Sequence, residues 1–376
     1  MGRFRDVELD DLELTGPRLL LRPWRPDDAH AVYVALRADG QAHHSTSLPF
    51  PYTSQDAAEF VRLAAGARTT ATSLECALVD RGSGALVGSA GLRLQHDPEV
   101  GYLVYRHARG HGYAAEATRA ISDWAFARDV PRVRLCCRVG NLASVRTAMN
   151  AGYRFEGISR AGTLRTADER GPARVADLAR FARLADDPPA AIPPAFAPLP
   201  AAGLSDGVVR LRTMGAEDAA DLADTDDELT LRWGFTGRPH TPSEARAEAE
   251  HAGLQWIVGT VAQFAIVDVP TDRFAGSLRL RRSGPPQVGG IGYVVHPAFR
   301  GRGFTSRALR LLASWAFETA DFARLELGAK VGHEASLRAA AAAGFEPDGV
   351  RKCRLRNPDG TFSDEQRYAL INPKYA

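Results

Sequence analysis

Apolar residues recur along this chain in two alternating rhythms. LLLRPW, ECALVD, LVGSAGLRL, VGYLVY, VRLCCRV and RVADLARFARL are short runs of strand length. ECALVD and LVGSAGLRL flank the turn RGSG, which predicts a hairpin. Other stretches carry helical spacing. DDAHAVYVALRAD predicts a helix from near Asp27, and NLASVRTAMNAG a helix closed by Gly152. After VGYLVY comes a Gly-rich turn, then a stretch that puts Ala114, Ala117, Ile121, Trp124 and Ala125 on one face. The succession predicts an α+β fold, a mixed sheet flanked by helices.

The same pattern occurs twice. GYLVYRHARGHGYAAEATRAISDWAF begins at Gly101, and GYVVHPAFRGRGFTSRALRLLASWAF begins at Gly292. VGNLASVRTAMNAGYRFEG (Val139 to Gly157) answers VGHEASLRAAAAAGFEPDG (Val331 to Gly349). Upstream, RLLLRPWRPDDAHAV answers VVRLRTMGAEDAADL, and FPYTSQDAAEFV answers RPHTPSEARAEA. An internal repeat of this length and order implies one fold used twice. The segment Asp186 to Gly207 holds six prolines, so an extended, poorly ordered or semi-rigid joint is expected. The domains are placed at 1–185 and 207–376, with a Pro/Ala-rich linker at 186–206.

Composition narrows the partners. The 376 residues carry 47 basic and 45 acidic side chains, a net charge of +2, with 45% hydrophobic and 24% charged residues. That balance disfavours nucleic acid or an anionic membrane as the main partner. Lysine occurs only at 330, 352 and 374, so the basic residues are nearly all arginine. Cys76, Cys136, Cys137 and Cys353 show no metal or redox spacing, and neither a disulfide framework nor a metal site is expected. MGRFRDVELDD lacks an apolar leader core, and no apolar run nears the ~18 residues of a membrane span. A cytoplasmic location is expected.

The strongest chemical signal is Arg109-Gly110-His111-Gly112-Tyr113-Ala114, between a strand and a helix. Glycines there allow close backbone approach, and the free N–H groups of a helix start attract anions, a pyrophosphate above all. A dinucleotide fingerprint would need a carboxylate at the end of the next strand. VRLCCRV ends instead in Gly140 and Asn141. A purely structural turn stays open on this motif alone.

Taken with GNLASVRTAMNAGYRFEG, the segment GYLVYRHARGHGYAAEA resembles the GNAT acyltransferases, particularly RimJ/RimL-like N-acetyltransferases. Both motifs occur in each half, so the resemblance covers nearly the whole chain outside the linker. It implies two tandem domains, each with a mixed, mostly antiparallel sheet, and acetyl-CoA as donor without a metal. It implies that Leu103 and Val104 line the pantetheine arm and that an N–H near Val104 polarises the thioester carbonyl. Arg109, Gly110, Gly112, Tyr113 and Ala114 would hold the pyrophosphate. Asn141 matches the family's Asn-x-x-Ser, and Ser144 either donates a proton to the thiolate or caps its helix. Glu99 stands where similar enzymes carry an acidic residue facing the acceptor; it is the candidate base or a solvated strand-end carboxylate. Acceptor contacts would come from around residues 40–65 and from 160–173; His43 and His44 lie in the first stretch, as acceptor contacts or as a solvated loop pair.

The second half keeps the cofactor candidates Val294, Val295, Arg300, Gly301, Gly303 and Ser336. It has Thr305 for Ala114, His333 for Asn141 and Gly290 for Glu99. The function implied is acetyl transfer by direct attack of a primary amine, on a small molecule, an antibiotic or a protein N-terminus. The first domain would do the chemistry. The competing class is a non-catalytic CoA sensor or a pseudo-dimeric interaction module. A monomeric chain with an internal pseudo-dimer is the expected assembly.

Overall fold

The computed structural model describes residues 8–37, 39, 48–94, 97–165 and 174–376, and of the side chains at 164, 165 and 174 nothing is said. The chain divides into two compact units, Met1–Pro193 and Pro194–Ala376. The first contains β1 (Leu14–Thr15), β2 (Leu19–Arg22), α1 (Asp28–Arg37), α2 (Ser54–Thr69), β3 (Ser73–Asp80), β4 (Leu86–Arg93) and β5 (Glu99–Val104). α3 (Tyr113–Phe126), β6 (Arg132–Arg138), α4 (Leu142–Asn150), β7 (Arg154–Arg165) and β8 (Arg174–Leu184) follow. The sheet order is β1-β2-β3-β4-β5-β6-β8-β7. Every pairing is antiparallel except β5 with β6.

The second unit repeats the plan. β9 (Leu204–Ser205), β10 (Val209–Thr213), α5 (Ala219–Ala223), α6 (Glu228–Trp233), α7 (Pro242–Val258), β11 (Ala262–Asp268), β12 (Arg273–Ser283) and β13 (Val288–Val295) come first. α8 (Phe304–Glu318), β14 (Arg324–Lys330), α9 (Glu334–Ala342), β15 (Glu346–Arg356) and β16 (Phe362–Ile371) complete it. Its order is β15-β16-β14-β13-β12-β11-β10-β9, again with one parallel pair, β13 and β14.

The apolar stripe of α3 packs on one face of the first sheet. Ala117, Ile121 and Ala125 are fully buried there and Trp124 nearly so, as Trp315 is in α8. On the other face α1 and α2 enclose Trp24, Val32, Leu36, Val61 and Tyr105. Three elements of the first unit went unread in the sequence: the two-residue β1, α2 and β7. α2 is opened by a capping box, Thr53 with Asp56, and its counterpart α7 by Thr241 with Glu244. β7 is broken by register shifts near Gly157 and between Ser159 and Thr163, which erase its alternation.

Part of the proline-rich segment is structured. Ile192 N–H donates to Met149 O at 2.9 Å in the first unit. Ala195 N–H donates to Ile257 O at 2.9 Å, and Phe196 is fully buried against Trp256 in the second. β9 also begins within it. The apolar side chains between the prolines have cores to enter, which anchors these residues in the unit each belongs to.

One carboxylate fixes α3 to the sheet. Glu116 is 5% exposed and receives the N–H groups of Arg18 (2.7 Å) and Leu19 (3.0 Å), plus Arg18 Nε (2.9 Å). In α8 the same position is Arg307, which bonds Asp206 at 2.7 Å in a more exposed setting. Glu116→Ala should therefore lower the stability of the first unit by about 2 kcal/mol, because two main-chain donors lose their acceptor. Arg307→Ala should cost the second unit under ~1 kcal/mol. Denaturant-dependent hydrogen exchange in β2 and β10 would measure both.

Candidate active site

β5 and β6 pair only where Glu99 faces Arg134, beside a bond from Arg134 N–H to Pro98 O (2.8 Å). Beyond that point they diverge. In the second unit β13 and β14 pair from Val288 to Ile291 and then also part. Tyr105 N–H donates to Val87 O across β4 (2.9 Å). Because successive residues alternate edges, Val104 turns its N–H to the other side, into the opening. Its carbonyl there accepts Arg109 Nε at 3.1 Å. Gly88 permits the bend, since a Cβ on it would lie 2.3 Å from Leu103 O; Gly276 stands in the same relation to Val294 O.

The Gly-rich turn leads from β5 into α3. Gly110 and Gly112 have φ of +82° and +78°, where an L side chain is strained, and Gly112 is the N-cap. The first main-chain bond of the helix is Glu116 N–H to Gly112 O. The N–H groups of Tyr113, Ala114 and Ala115 thus precede any intrahelical partner. Arg109, by contrast, has its guanidinium committed to the buried Asp39 as well as to Val104 O. Tyr113 turns its hydroxyl to Asp80 at 2.7 Å, under the Arg18 guanidinium. Hydrogen bonds from Tyr113 and Ser83 hold the Asp80 carboxyl down to about 2.

Asn141 is the N-cap of α4 and accepts Ser144 N–H at 3.2 Å. Of the two roles open for Ser144, capping therefore falls to Asn141. Tyr102, unnoticed in the sequence, reaches from β5 to Ser144 O at 3.5 Å. Burial pushes its hydroxyl up to about 12, so it remains a donor at neutral pH.

A cavity of about 260 Å³ lies on the α1/α2 face of the sheet, beside the opening. Its walls include Val32, Leu36, Leu48, Tyr52, Phe60 and Leu103, and its polar groups are Glu75, Ser89, Arg93 and Glu99. Glu99 sits at its edge with one oxygen on Arg93 and the other 3.3 Å from Arg134. Glu75, on β3, was not singled out by any motif. Its carboxylate lies over Gly91, with one oxygen accepting from Ser73 Oγ at 2.5 Å, and burial raises its pKa above the ordinary carboxylate range. His43 and His44 lie outside the described residues, as does most of the 160–173 loop.

Burial pushes the Cys136 and Cys137 thiols up to about 11 and 12, which keeps them protonated and poorly nucleophilic at neutral pH. Among the described residues no group of three or more His, Cys, Asp and Glu is arranged to hold a metal. Among them, too, no helix is long and apolar enough to cross a membrane.

The second unit keeps the turn and loses the cavity chemistry. Gly301 and Gly303 have φ of +73° and +75°, and Arg300 bonds Asp227 at 2.6 and 2.8 Å as Arg109 bonds Asp39. Val294 and Val295 end the diverging strand, and Ser336 Oγ meets Tyr293 OH at 2.7 Å. In the registers that hold Glu75, Gly91 and Glu99 stand Gln263, Arg279 and Gly290. Arg279 pairs with Glu248, which lies near His240 and, through it, Asp226. At the start of α9 the Trp233 ring stacks on His333, centroids 4.4 Å apart and 1° from parallel.

Comparison with known proteins agrees with this architecture. The family model described as an acetyltransferase (GNAT) domain matches residues 18–154 and again 209–346. The probable N-acetyltransferase YjcK of Bacillus subtilis is 30% identical over 112 residues, 29% of this chain; the chain spans 61% of that relative's length. Among solved structures, RimJ of Mycobacterium smegmatis in complex with CoA-disulfide is 24% identical, over 46% of this chain and 86% of that one, with a TM-score of 0.41. A ribosomal-protein-S5-alanine acetyltransferase from Vibrio fischeri is 21% identical, over 45% and 95%, with a TM-score of 0.41. With the family's domain matched in both halves, over most of its length, this chain belongs to the GNAT acetyltransferase family.

Proposed function

We propose that the first unit transfers an acetyl group from acetyl-CoA to a primary amine. The observation that carries this reading is the convergence of three features at Leu103–Val104: the opened strand pair, the N–H-rich turn and the cavity. The pantetheine arm lies along Leu103 and Val104, completing the ladder that β6 abandons. Val104 N–H polarises the thioester carbonyl and stabilises the oxyanion as the amine attacks. The pyrophosphate rests on the N–H groups around Gly110, Gly112, Tyr113 and Ala114. Arg109 contributes through its main chain and by fixing the end of β5. Asn141 orders the start of α4 beside the cofactor, and Ser144 supplies a proton to the departing thiolate.

Glu99 already serves two guanidinia, so accepting a proton would cost it those partners. Its role in this scheme is to hold the edge of the cavity beside the acceptor. A small molecule, an antibiotic or a protein N-terminus all present the required amine. The unpaired thiols and near-neutral charge suit a reducing cytoplasm.

For the second unit a specific observation favours the competing class, a non-catalytic module. Arg279 fills the register that Gly91 leaves open, and neither Gln263 nor Gly290 offers a carboxylate.

Two experiments test the assignment. A valine at Gly112 strains the turn and displaces the pyrophosphate, so Gly112→Val should lower turnover by roughly 100-fold or more. Gly303→Val should leave turnover unchanged; loss of activity from Gly303→Val alone would reverse the roles of the two units. Thiol release from acetyl-CoA, followed with a panel of primary amines, should rise with pH as the acceptor loses its proton. Tight acetyl-CoA binding with no thiol release from any amine would favour the sensor.

A further inference from the structure

The cavity holds a carboxylate that the scheme above leaves without a task. Three residues face one another across neighbouring strands: Glu75 on β3, Gly91 on β4 and Gly101 on β5. Cross-strand partners share a face of the sheet, so two glycines in succession leave a bare strip of floor beside the acid. Glu75 lies down across that strip. A Cβ on Gly91 would come within 2.4 Å of Glu75 Oε2, and a Cβ on Gly101 would meet nothing within 4 Å. The carboxylate therefore stands about one strand spacing, ~4.8 Å, from Gly101. Gly101 is two residues before Leu103, at the mouth of the opening.

The two oxygens are not equivalent. Oε1 accepts from Ser73 Oγ, whereas Oε2 has no hydrogen-bond partner among the described residues. The nearby guanidinia of Arg68 and Arg93 make no hydrogen bond to this carboxylate, but their charge acts on it, against the larger effect of burial. Arg68 of α2 donates to Glu75 O, Cys76 Sγ and Leu12 O, and Arg93 of β4 holds Glu99. From α1 the cavity receives Val32 and Leu36, and its other titratable residues are Tyr52, Tyr102 and Tyr105. An acceptor ammonium over Gly91 and Gly101 would meet one open carboxylate oxygen, with the Arg93–Glu99 ion pair, Ser89 and apolar side chains around it.

We propose that Glu75 is the catalytic residue that binds the acceptor's ammonium group and takes its proton, above a floor made by Gly91 and Gly101. This rests on the acetyltransferase reading of the first unit. The ammonium gives one proton to Glu75, and the freed nitrogen lone pair forms the N–C bond to the thioester carbonyl. The nitrogen then loses a second proton as the C–S bond breaks and the sulfur leaves as the protonated thiol. Glu75 passes its own proton to water. One ammonium and one acetyl-CoA thus become an amide, free CoA and a proton.

The second unit supports the assignment. It keeps the strand register and the turn but has Gln263 for the acid and Arg279 for the glycine beside it. Both changes remove an ammonium site, one by neutralising it and the other by filling it with a cation.

The test uses the full chain with acetyl-CoA and two probe amines of apolar body, 2-phenylethylamine and a phenylalanyl peptide. Glu75→Gln should lower kcat/KM for the amine by about 100- to 1,000-fold. It should leave acetyl-CoA affinity intact and regain rate at high pH, where the amine is already neutral. Gly91→Arg should also block the amine while acetyl-CoA still binds. Folding provides the control. Because burial raises the Glu75 pKa, the wild-type group favours the folded state most at low pH and loses that contribution as pH rises. Glu75→Gln should thus melt higher than wild type at neutral pH, and this gain should vanish below the ordinary carboxylate range. Wild-type kcat/KM in Glu75→Gln at every pH would overturn the proposal, as would loss of acetyl-CoA binding in that variant. A wild-type chain that binds acetyl-CoA but releases no thiol with either probe or with any member of the primary-amine panel would instead overturn the acetyltransferase reading beneath it.

Discussion

A strand inside a protein cannot leave its N–H and C=O groups without partners. β5 breaks that rule on one edge: past Glu99 it keeps β4 and loses β6. Everything of consequence in the first unit is arranged around that lapse. Gly88 lets β4 follow the bend, Arg109 takes the carbonyl of Val104, and α3 begins at the point where the freed edge ends. A ligand with its own amide groups is one natural way to complete such an edge.

The two units show what happens when one part of that arrangement is altered and the rest kept. The opened strands, the positive-φ glycines and the arginine before them are the same in both. The difference is concentrated on the other face of the sheet, where one unit has an acid over bare floor and the other a chain of ion pairs from Arg279 toward Asp226. The half-buried Arg279, paired to Glu248, fills its side of the sheet, whereas Glu75 with one unpartnered oxygen leaves its cavity open at some cost. The two units thus represent different balances between a filled interior and a usable one.

The repeat, the hairpin, the long amphipathic helices and the Gly-rich turn were legible in the sequence because each depends on local chemistry or local spacing. α2 was equally legible from Thr53 and Asp56, but its weak amphipathicity concealed it. β7 was not, since its bulges cancel the alternation that marks a strand. At the site, the turn and the Asn-x-x-Ser pair carry their meaning in contiguous residues. Glu75 does not: its significance comes from Gly91 and Gly101, which reach it only through strand pairing. The occupied state of Glu99 likewise depends on Arg93 and Arg134, brought together by the sheet. Apolar spacing identified the elements, while the electrostatics of the cavity required the register.

The glycines of the turn have a further consequence. Gly110, Gly112, Gly301 and Gly303 all sit at positive φ, where an L side chain is strained, so each helix start needs them for its own geometry. A side chain at any of these positions is strained whether or not the unit binds a ligand. An intact glycine turn is therefore expected of the fold itself and does not by itself report a working anion site. Glycines report the ancestry of such a domain; the polar residues across the sheet report its present employment.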